Sequence, residues 1–305
     1  MLRPAFSIAG ATASGKSSLA VRLAKAVDGV IINGDSMQLY ADLSILSARP
    51  SQAAMELVPH ALYGILKAHE PNSVWNWMQC VDSILKSTTK VPIIVGGTGM
   101  YLKALEDGVI ELPDLSLGVR EKAQAYYDEV GEELFRKDLG LHDPISAEKI
   151  KSGDRQRLIR AWSVVSETGK SLDAWQKEPH WKPEGWCYTK ILVTPPREQI
   201  YTACDGRLVE MIQEGALEEV KHLLSLSLDP TLPIMKAIGV AEFGAYLKGE
   251  FSLEDALHRA QQLTRNYAKR QLTWFRNQFS PDILITAPQV HAVEDILCQV
   301  DESLD

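Results

Sequence analysis

Apolar and polar positions follow two rhythms along the 305 residues. Short apolar runs stand at Phe6-Ser7-Ile8-Ala9, Val30-Ile31-Ile32, Ala61-Leu62-Tyr63-Gly64-Ile65 and Val91-Pro92-Ile93-Ile94-Val95. Each is bounded by turn residues and too short for a helix, so each reads as a strand. After the first run, Leu19, Ala20, Leu23, Ala24 and Val27 recur at helical spacing. Pro71-Asn72-Ser73 opens a second helix, with Trp75, Met78, Val81, Ile84 and Leu85 as its apolar face. Met100 to Leu105 resumes a helix after the fourth run. Strands alternating with helices predict a parallel sheet with its ligands at the strands' C-terminal ends.

The texture changes near Leu112. Residues 114–186 carry helical periods, many charges and no convincing strand. Val119 to Phe135 reads as one amphipathic helix, Pro144 to Ile150 as a short one, and Asp154 to Glu167 as a third. Pro113 and the Lys177–Gly185 stretch mark the borders. Lys190-Ile191-Leu192-Val193-Thr194-Pro195 then returns to the sheet. Helices follow at Arg197–Gln213, Leu217–Leu226 and Ser252 to about Asn277, with a turn centred on Gly239 and a last strand at Asp282-Ile283-Leu284-Ile285. The predicted fold class is α/β: a P-loop-type parallel sheet flanked by helices, residues 1–113 and 187–305, interrupted by an all-helical insertion, 114–186.

The candidate chemistry begins at Gly10-Ala11-Thr12-Ala13-Ser14-Gly15-Lys16-Ser17, which fits G-x-x-x-x-G-K-[ST] between a strand and a helix. There the loop N–H groups and the positive helix end converge on a phosphate. Lys16 reaches the outer phosphate, and the Ser17 hydroxyl suits a Mg²⁺ that bridges two phosphates. The bland alternative is a Gly-rich turn with a solvated lysine. ATPases place an acid after a second apolar strand; here Val91–Val95 is followed by Gly96-Gly97-Thr98. The well-placed acid is Asp35, after Val30–Ile32. It suits a proton acceptor for an incoming nucleophile, or equally a turn or helix cap. Thr98 donates a hydrogen bond in the site or caps the next helix, capping alone being the simpler expectation.

Composition adds limits. The net charge of -8 excludes a chain-wide basic field, so a polyanion needs local patches. Two patches exist. Arg155, Arg157 and Arg160 open a helix of the insertion. Arg265, Lys269 and Arg276 share a stripe near the C-terminus, with Arg270, Tyr267, Trp274 and Phe275 among them. Arginine beside aromatics suits phosphates and unstacked bases; the plain alternative is a solvated helix face. Together they raise the expectation of one large polyanion held by both. The four cysteines, Cys80, Cys187, Cys204 and Cys298, form no C-x-x-C pair, and the histidines show no metal-binding spacing. Free thiols and the lack of a membrane-length apolar run lead to the expectation of a cytoplasmic protein without membrane contact. A monomer is expected.

These residues carry a resemblance. Asp35-Ser36-Met37-Gln38-Leu39-Tyr40, Ala48-Arg49-Pro50, Val95-Gly96-Gly97-Thr98-Gly99-Met100-Tyr101, Asp154 to Ala161, Lys236-Ala237-Ile238-Gly239 and Thr264 to Arg276 follow the phosphate loop in order. In this the chain resembles the bacterial tRNA dimethylallyltransferases (tRNA isopentenyltransferases) over nearly its whole length. Ala11 stands where that family has Pro, Ile45-Leu46-Ser47 replaces Ile-Gly-Thr, Val240 replaces Tyr, and Trp75 and Trp77 are added aromatics. The Leu46 and Val240 changes bear on pocket shape.

The resemblance implies that Gly10–Ser17 hold the diphosphate of dimethylallyl diphosphate, with Mg²⁺ on Ser17. It implies that Asp35 accepts the proton of an adenine N6, with Lys16 and Thr98 also catalytic. The adenine is the one 3′ of the anticodon, flipped out to react. Asp35, Ser36, Met37, Gln38, Thr98, Arg120, Gln156, Arg157, Leu158, Ile159, Arg160, Lys236, Arg265, Lys269, Arg270, Trp274 and Arg276 would touch tRNA, the helical insertion gripping the anticodon stem-loop. The residues read without the resemblance leave open a small-molecule or nucleotide kinase, or an RNA-binding protein that keeps the loop as a relic.

Overall fold

In the computed structural model, which describes residues 2–112, 115–287 and 292–302, six parallel strands make one sheet in the order β3-β2-β4-β1-β5-β6. The strands are β1 (Arg3–Gly10), β2 (Gly29–Asn33), β3 (His60–Ala61), β4 (Val91–Gly96), β5 (Trp186–Val193) and β6 (Ile283–Ile285). The chain divides into two compact units: residues 1–107 with 182–305, and residues 108–181. The expected border at Pro113 lies outside the described residues, whereas Trp181, the last residue of the second unit, falls within the Lys177–Gly185 stretch.

In the sheet unit, α1 (Lys16–Ala26), α2 (Gln52–Leu57), α3 (Val74–Ser87) and α4 (Gly99–Asp107) fall among the first four strands. β1 is buried from Ala5 onward and β2 throughout, as expected of parallel strands covered on both faces. On one face Phe6, Ile8, Ile31, Ile93, Val95, Ile191 and Ile283 pack against Leu19 and Leu23 of α1. The face of α3 differs from the expectation: Trp77, Met78, Val81 and Leu85 are buried, with Trp77 rather than Trp75 as the anchor. Its indole donates to the Asn33 carbonyl at 2.7 Å and stacks on Tyr101 at 4.5 Å. The strand expected over 61–65 shrinks to β3, because Leu62 (φ 63) and Gly64 (φ 62) turn the chain out of extended geometry.

The helical unit holds α5 (Leu117–His142), α6 (Pro144–Lys149), α7 (Arg155–Thr168) and α8 (Leu172–Trp175). The amphipathic period of α5 continues past Phe135, but Gly131 leaves helical geometry (φ 74, ψ 172) and breaks it. Phe135, Leu139, Leu158 and Ala161, all fully buried, close its core with Tyr126 and Trp162. Asp143 caps α6 through the Ser146 N–H and also accepts from the Leu172 N–H, a buried carboxylate that joins two short helices.

The remainder of the sheet unit is α9 (Arg197–Gln213), α10 (Ala216–Ser225), α11 (Val240–Leu247), α12 (Leu253–Gln278) and α13 (Ala292–Glu302). The turn expected at Gly239 is the left-handed start of α11, φ 99. Leu46 and Val240 belong to one apolar cluster with Tyr40, Leu43, Leu223 and Ile234, so both departures act on packing there. Among the described residues no helix is long and apolar enough to cross a membrane. Trp77→Ala should lower the unfolding free energy by about 3–5 kcal/mol. Leu141→Ala, on a side chain 75% exposed, should change it by less than about 0.5 kcal/mol. Urea denaturation followed by circular dichroism checks both.

Candidate active site and nucleic-acid interface

β1 ends at Gly10, and the loop to α1 is shaped by close contacts that side chains would block. A Cβ at Gly10 would lie 2.6 Å from Ser14 Oγ and 2.8 Å from the Val193 carbonyl. Gly15 is the N-cap of α1 at φ 87, with no side chain capping the helix. The first N–H groups of a helix have no intrahelical acceptor, so this end is open to an anion. Ser14 Oγ is buried and unpartnered. Ser17 is exposed at the loop's end.

Lys16 curls back to the Ala11 carbonyl at 3.1 Å. Burial pulls its amine down to about 8, against the raising influence of Asp35, while Arg207 lowers it further. Arg207 is itself lowered by burial and feels Asp35 as well. No hydrogen bond or ion pair holds its guanidinium among the described residues. Thus the phosphate-loop lysine, the candidate base and a second cation share one electrostatic neighbourhood. Arg207 was missed in the sequence. Its signal is a cation beside the buried stripe Ile200, Cys204, Leu208 and Met211 of α9. The same helix sets Cys204 there, with its thiol pushed up to about 11 by burial.

Asp35 makes the turn that the sequence offered as one of its two readings, and it keeps one carboxylate oxygen out of that turn. Its Oδ1 accepts the Met37 N–H at 3.0 Å, an Asx-type turn. Its Oδ2 has no hydrogen-bond partner among the described residues and would stand 3.4 Å from a Cβ at Gly97. Asn33, fully buried at the end of β2, brackets it: Oδ1 accepts the Asp35 N–H at 2.8 Å, and Nδ2 donates to the Asp35 and Leu62 carbonyls at 2.9 and 3.0 Å. Asn33 was also missed, since a strand-end asparagine reads as turn chemistry. Burial, and more weakly Asp35, pushes the phenols of Tyr63, Tyr101 and Tyr267 upward, so they stay neutral.

Thr98 is not spent on capping alone. Its carbonyl accepts from Tyr101 and Leu102 at the start of α4, while its hydroxyl accepts the Ser36 N–H at 3.1 Å and reaches Ser36 Oγ at 3.4 Å. β4 closes against β2 backbone to backbone: a Cβ at Gly96 would fall 2.0 Å from the Gly34 carbonyl oxygen. That contact leaves no room for a side chain at the last residue of β4. Gln271 of α12 ties the centre together, accepting the Thr12 N–H at 2.9 Å and donating to the Gly97 carbonyl at 2.8 Å.

Other expected contacts are redistributed. Ala11 is buried against Ile200, Cys204 and Ala268, so only its backbone belongs to the loop surface, and the Thr12 N–H is taken by Gln271. Leu158 (0% exposed) and Ile159 (8%) are core residues of the helical unit, and their side chains are not available to RNA. Arg265 is bound to Asp205 at 2.6 and 2.7 Å. Arg155 pairs with Asp128 and Arg157 with Asp154. Lys236 is exposed and sits near Asp229, which feels its charge. Gln38 is held by the loop at Ser47 and Ala48.

Two surfaces keep unspent cations. On α12, Lys269, Arg270 and Trp274 line a groove of about 550 Å³ with Asn266, Thr273, Asn277 and Gln278; Arg276 is exposed on the same helix. Trp274 lies flat over Gly99, where a Cβ would be 2.2 Å from the indole. In the helical unit, α5 and α7 bring Arg120 and Arg160 close enough that Arg120 depresses Arg160 beyond what partial burial does. Gln156 is exposed at the start of α7. Neither Arg120 nor Arg160 has an ion pair among the described residues.

The chain is similar to known proteins over most of its length. A family model described as IPP transferase matches residues 38–278, and one described as isopentenyl transferase matches residues 4–61. The tRNA dimethylallyltransferase of Rhodospirillum centenum is 45% identical over 91% of this chain and 90% of that protein. That of Bartonella quintana is 48% identical over 90% and 94%. The full-length tRNA isopentenylpyrophosphate transferase of Bacillus halodurans, a solved structure, matches with TM-score 0.71 at 28% identity, covering 100% of this chain and 97% of that one. Agreement of this extent in sequence and in fold means that the chain belongs to the IPP transferase family.

Proposed function

We propose that the protein transfers the dimethylallyl group of dimethylallyl diphosphate to N6 of the adenine 3′ of the anticodon in tRNA, giving N6-isopentenyladenosine. The observation that carries this reading is the meeting of Lys16, Arg207 and Asp35 in one neighbourhood. Such a site can neutralise a departing diphosphate and receive a proton.

The Gly15–Ser17 N–H groups, Lys16 and Arg207 bind the diphosphate and stabilise charge on it as the C–O bond to the allylic carbon breaks. The bonding pair leaves with the diphosphate. N6 closes on that carbon, and only then does its proton become acidic. The Asp35 Oδ2 takes the proton, while Oδ1 stays in the Met37 turn and fixes the direction of transfer. Asn33 holds the Asp35 backbone, and the Thr98 hydroxyl steadies Ser36 beside it.

The residues fit Mg²⁺ as a cation carried mostly by the donor. Ser17 offers a hard hydroxyl oxygen at the uncapped helix end, and among the described residues no group of three or more His, Cys, Asp or Glu is placed to hold a metal. When bound, Mg²⁺ supplies added neutralisation of the diphosphate. The α12 groove fits unstacked bases and phosphates, and the Arg120–Arg160 pair fits a backbone phosphate of the anticodon stem-loop.

Labelled dimethylallyl diphosphate with bulk tRNA tests the reading, and ATP in the same assay tests the kinase alternative; ATP turnover without prenyl transfer would overturn the proposal. Asp35→Ala should lower kcat by about two to four orders of magnitude with tRNA binding retained; near-full turnover would remove Asp35 as the base. Lys16 is charged below about pH 8 and neutral above it. Affinity for a non-transferable dimethylallyl diphosphate analogue should therefore fall by up to about tenfold per pH unit above that point, and the fall should vanish in Lys16→Met. Arg120→Ala and Arg160→Ala should each weaken tRNA binding and reduce its salt slope by about 1, measured by filter binding across salt concentrations, with the KM for the donor unchanged.

A further inference from the structure

Glu219 of α10 has no part in the chemistry so far, yet its carboxylate is one of the most heavily bonded groups in the sheet unit. It accepts hydrogen bonds at 2.5–2.9 Å from the Ser44 N–H, the Ser44 hydroxyl, the Ile45 N–H and the Leu46 N–H, all on one short loop. Its charge is met by backbone dipoles rather than by a cation. The loop needs such an anchor, because Ala48 at its far end lies at φ 54, where a Cβ is strained.

The next two carbonyls of the loop, Ser47 and Ala48, both accept from Gln38 Nε2 at 3.0 Å. Two oxygens on one side of an amide identify that side as the NH₂; the reverse placement would set oxygen against oxygen twice. Gln38 therefore turns Oε1 away from the loop, and Oε1 has no hydrogen-bond partner among the described residues. A free glutamine presents a donor and an acceptor equally. Here the loop consumes the donor and leaves the acceptor.

We propose that Glu219 is a positioning residue: through the Ser44–Ala48 loop it fixes Gln38 as a pure hydrogen-bond acceptor toward the RNA. The site then prefers, at the position Gln38 meets, a base that offers an N–H donor. This rests on the reading of the Asp35–Gln38 turn as facing RNA.

The test is steady-state kinetics of the full chain, with KM measured separately for tRNA and for dimethylallyl diphosphate. Gln38→Ala should raise the tRNA KM about three- to tenfold, the worth of one hydrogen bond, and leave the donor KM unchanged. Glu219→Gln puts an amide NH₂ among N–H donors and should reproduce that split, whereas damage to packing alone would move both constants. The double variant should be no worse than Gln38→Ala; additive losses would overturn the positioning role. Should Glu219→Gln fail to fold, Ser44→Ala, which removes only the hydroxyl bond, should show a smaller, equally non-additive effect. Anticodon-loop transcripts in which single bases lose one N–H donor, exocyclic or in the ring, complete the test. One such position should raise the KM of the unmodified enzyme and not that of Gln38→Ala, and if none does, the acceptor claim falls. A tRNA KM untouched by Gln38→Ala would instead overturn the placement of that turn at the RNA.

Discussion

The arrangement depends on one buried amide. Gln271 fills the space between the phosphate loop and the turn after β4, and it uses both ends of its side chain to do so. Breaking the bond to the Gly97 carbonyl leaves a buried backbone group unpaired, at a cost of about 1–3 kcal/mol. The fit is close on the other side too, since a Cβ at Gly97 would come within 2.4 Å of Gln271 Nε2. The long helix α12 is thus registered to the phosphate loop. Its groove of Lys269, Arg270 and Trp274 inherits that register. The phosphate loop and the α12 groove are thus aligned through one side chain.

Within each of the two units, charge is placed against the trend of the whole chain. The protein carries a net charge of -8, yet Lys16 and Arg207 are pushed together, as are Arg120 and Arg160. Like charges brought together and partly desolvated are unfavourable in the free protein. A polyanion bound at either pair would relieve that repulsion. Arg265, Arg155 and Arg157 differ, since each is already paired with a carboxylate.

Much of this was legible in the chain. The phosphate loop is a contiguous string legible from its spacing, and a parallel sheet must bring strand ends together; spacing alone left Asp35 open between proton acceptor and turn, and favoured plain capping for Thr98. Helix α9 was read to its observed ends because its period is regular. What resisted reading depends on tertiary partners. Arg207 is marked locally only by its place beside the buried stripe of α9, and what that stripe faces emerges when α9 is laid beside the loop. Leu158 and Ile159 match a motif, but their side chains answer to the core of the helical unit. Gly131 inside an otherwise helical period is ambiguous, since glycine is tolerated in a helix and also permits the φ of 74 found there. The short β3 failed for a related reason: the left-handed Leu62 has no sequence signature.

The backbone contact of Gly34 with Gly96 fixes the spacing of two strand ends. A Cβ at Gly96 would lie 2.0 Å from the Gly34 carbonyl oxygen, and one at Gly97 would lie 2.4 Å from Gln271 Nε2. A side chain at either position needs the neighbouring backbone or Gln271 to give way first, so two missing methyl groups keep the turn after β4 as narrow as it is.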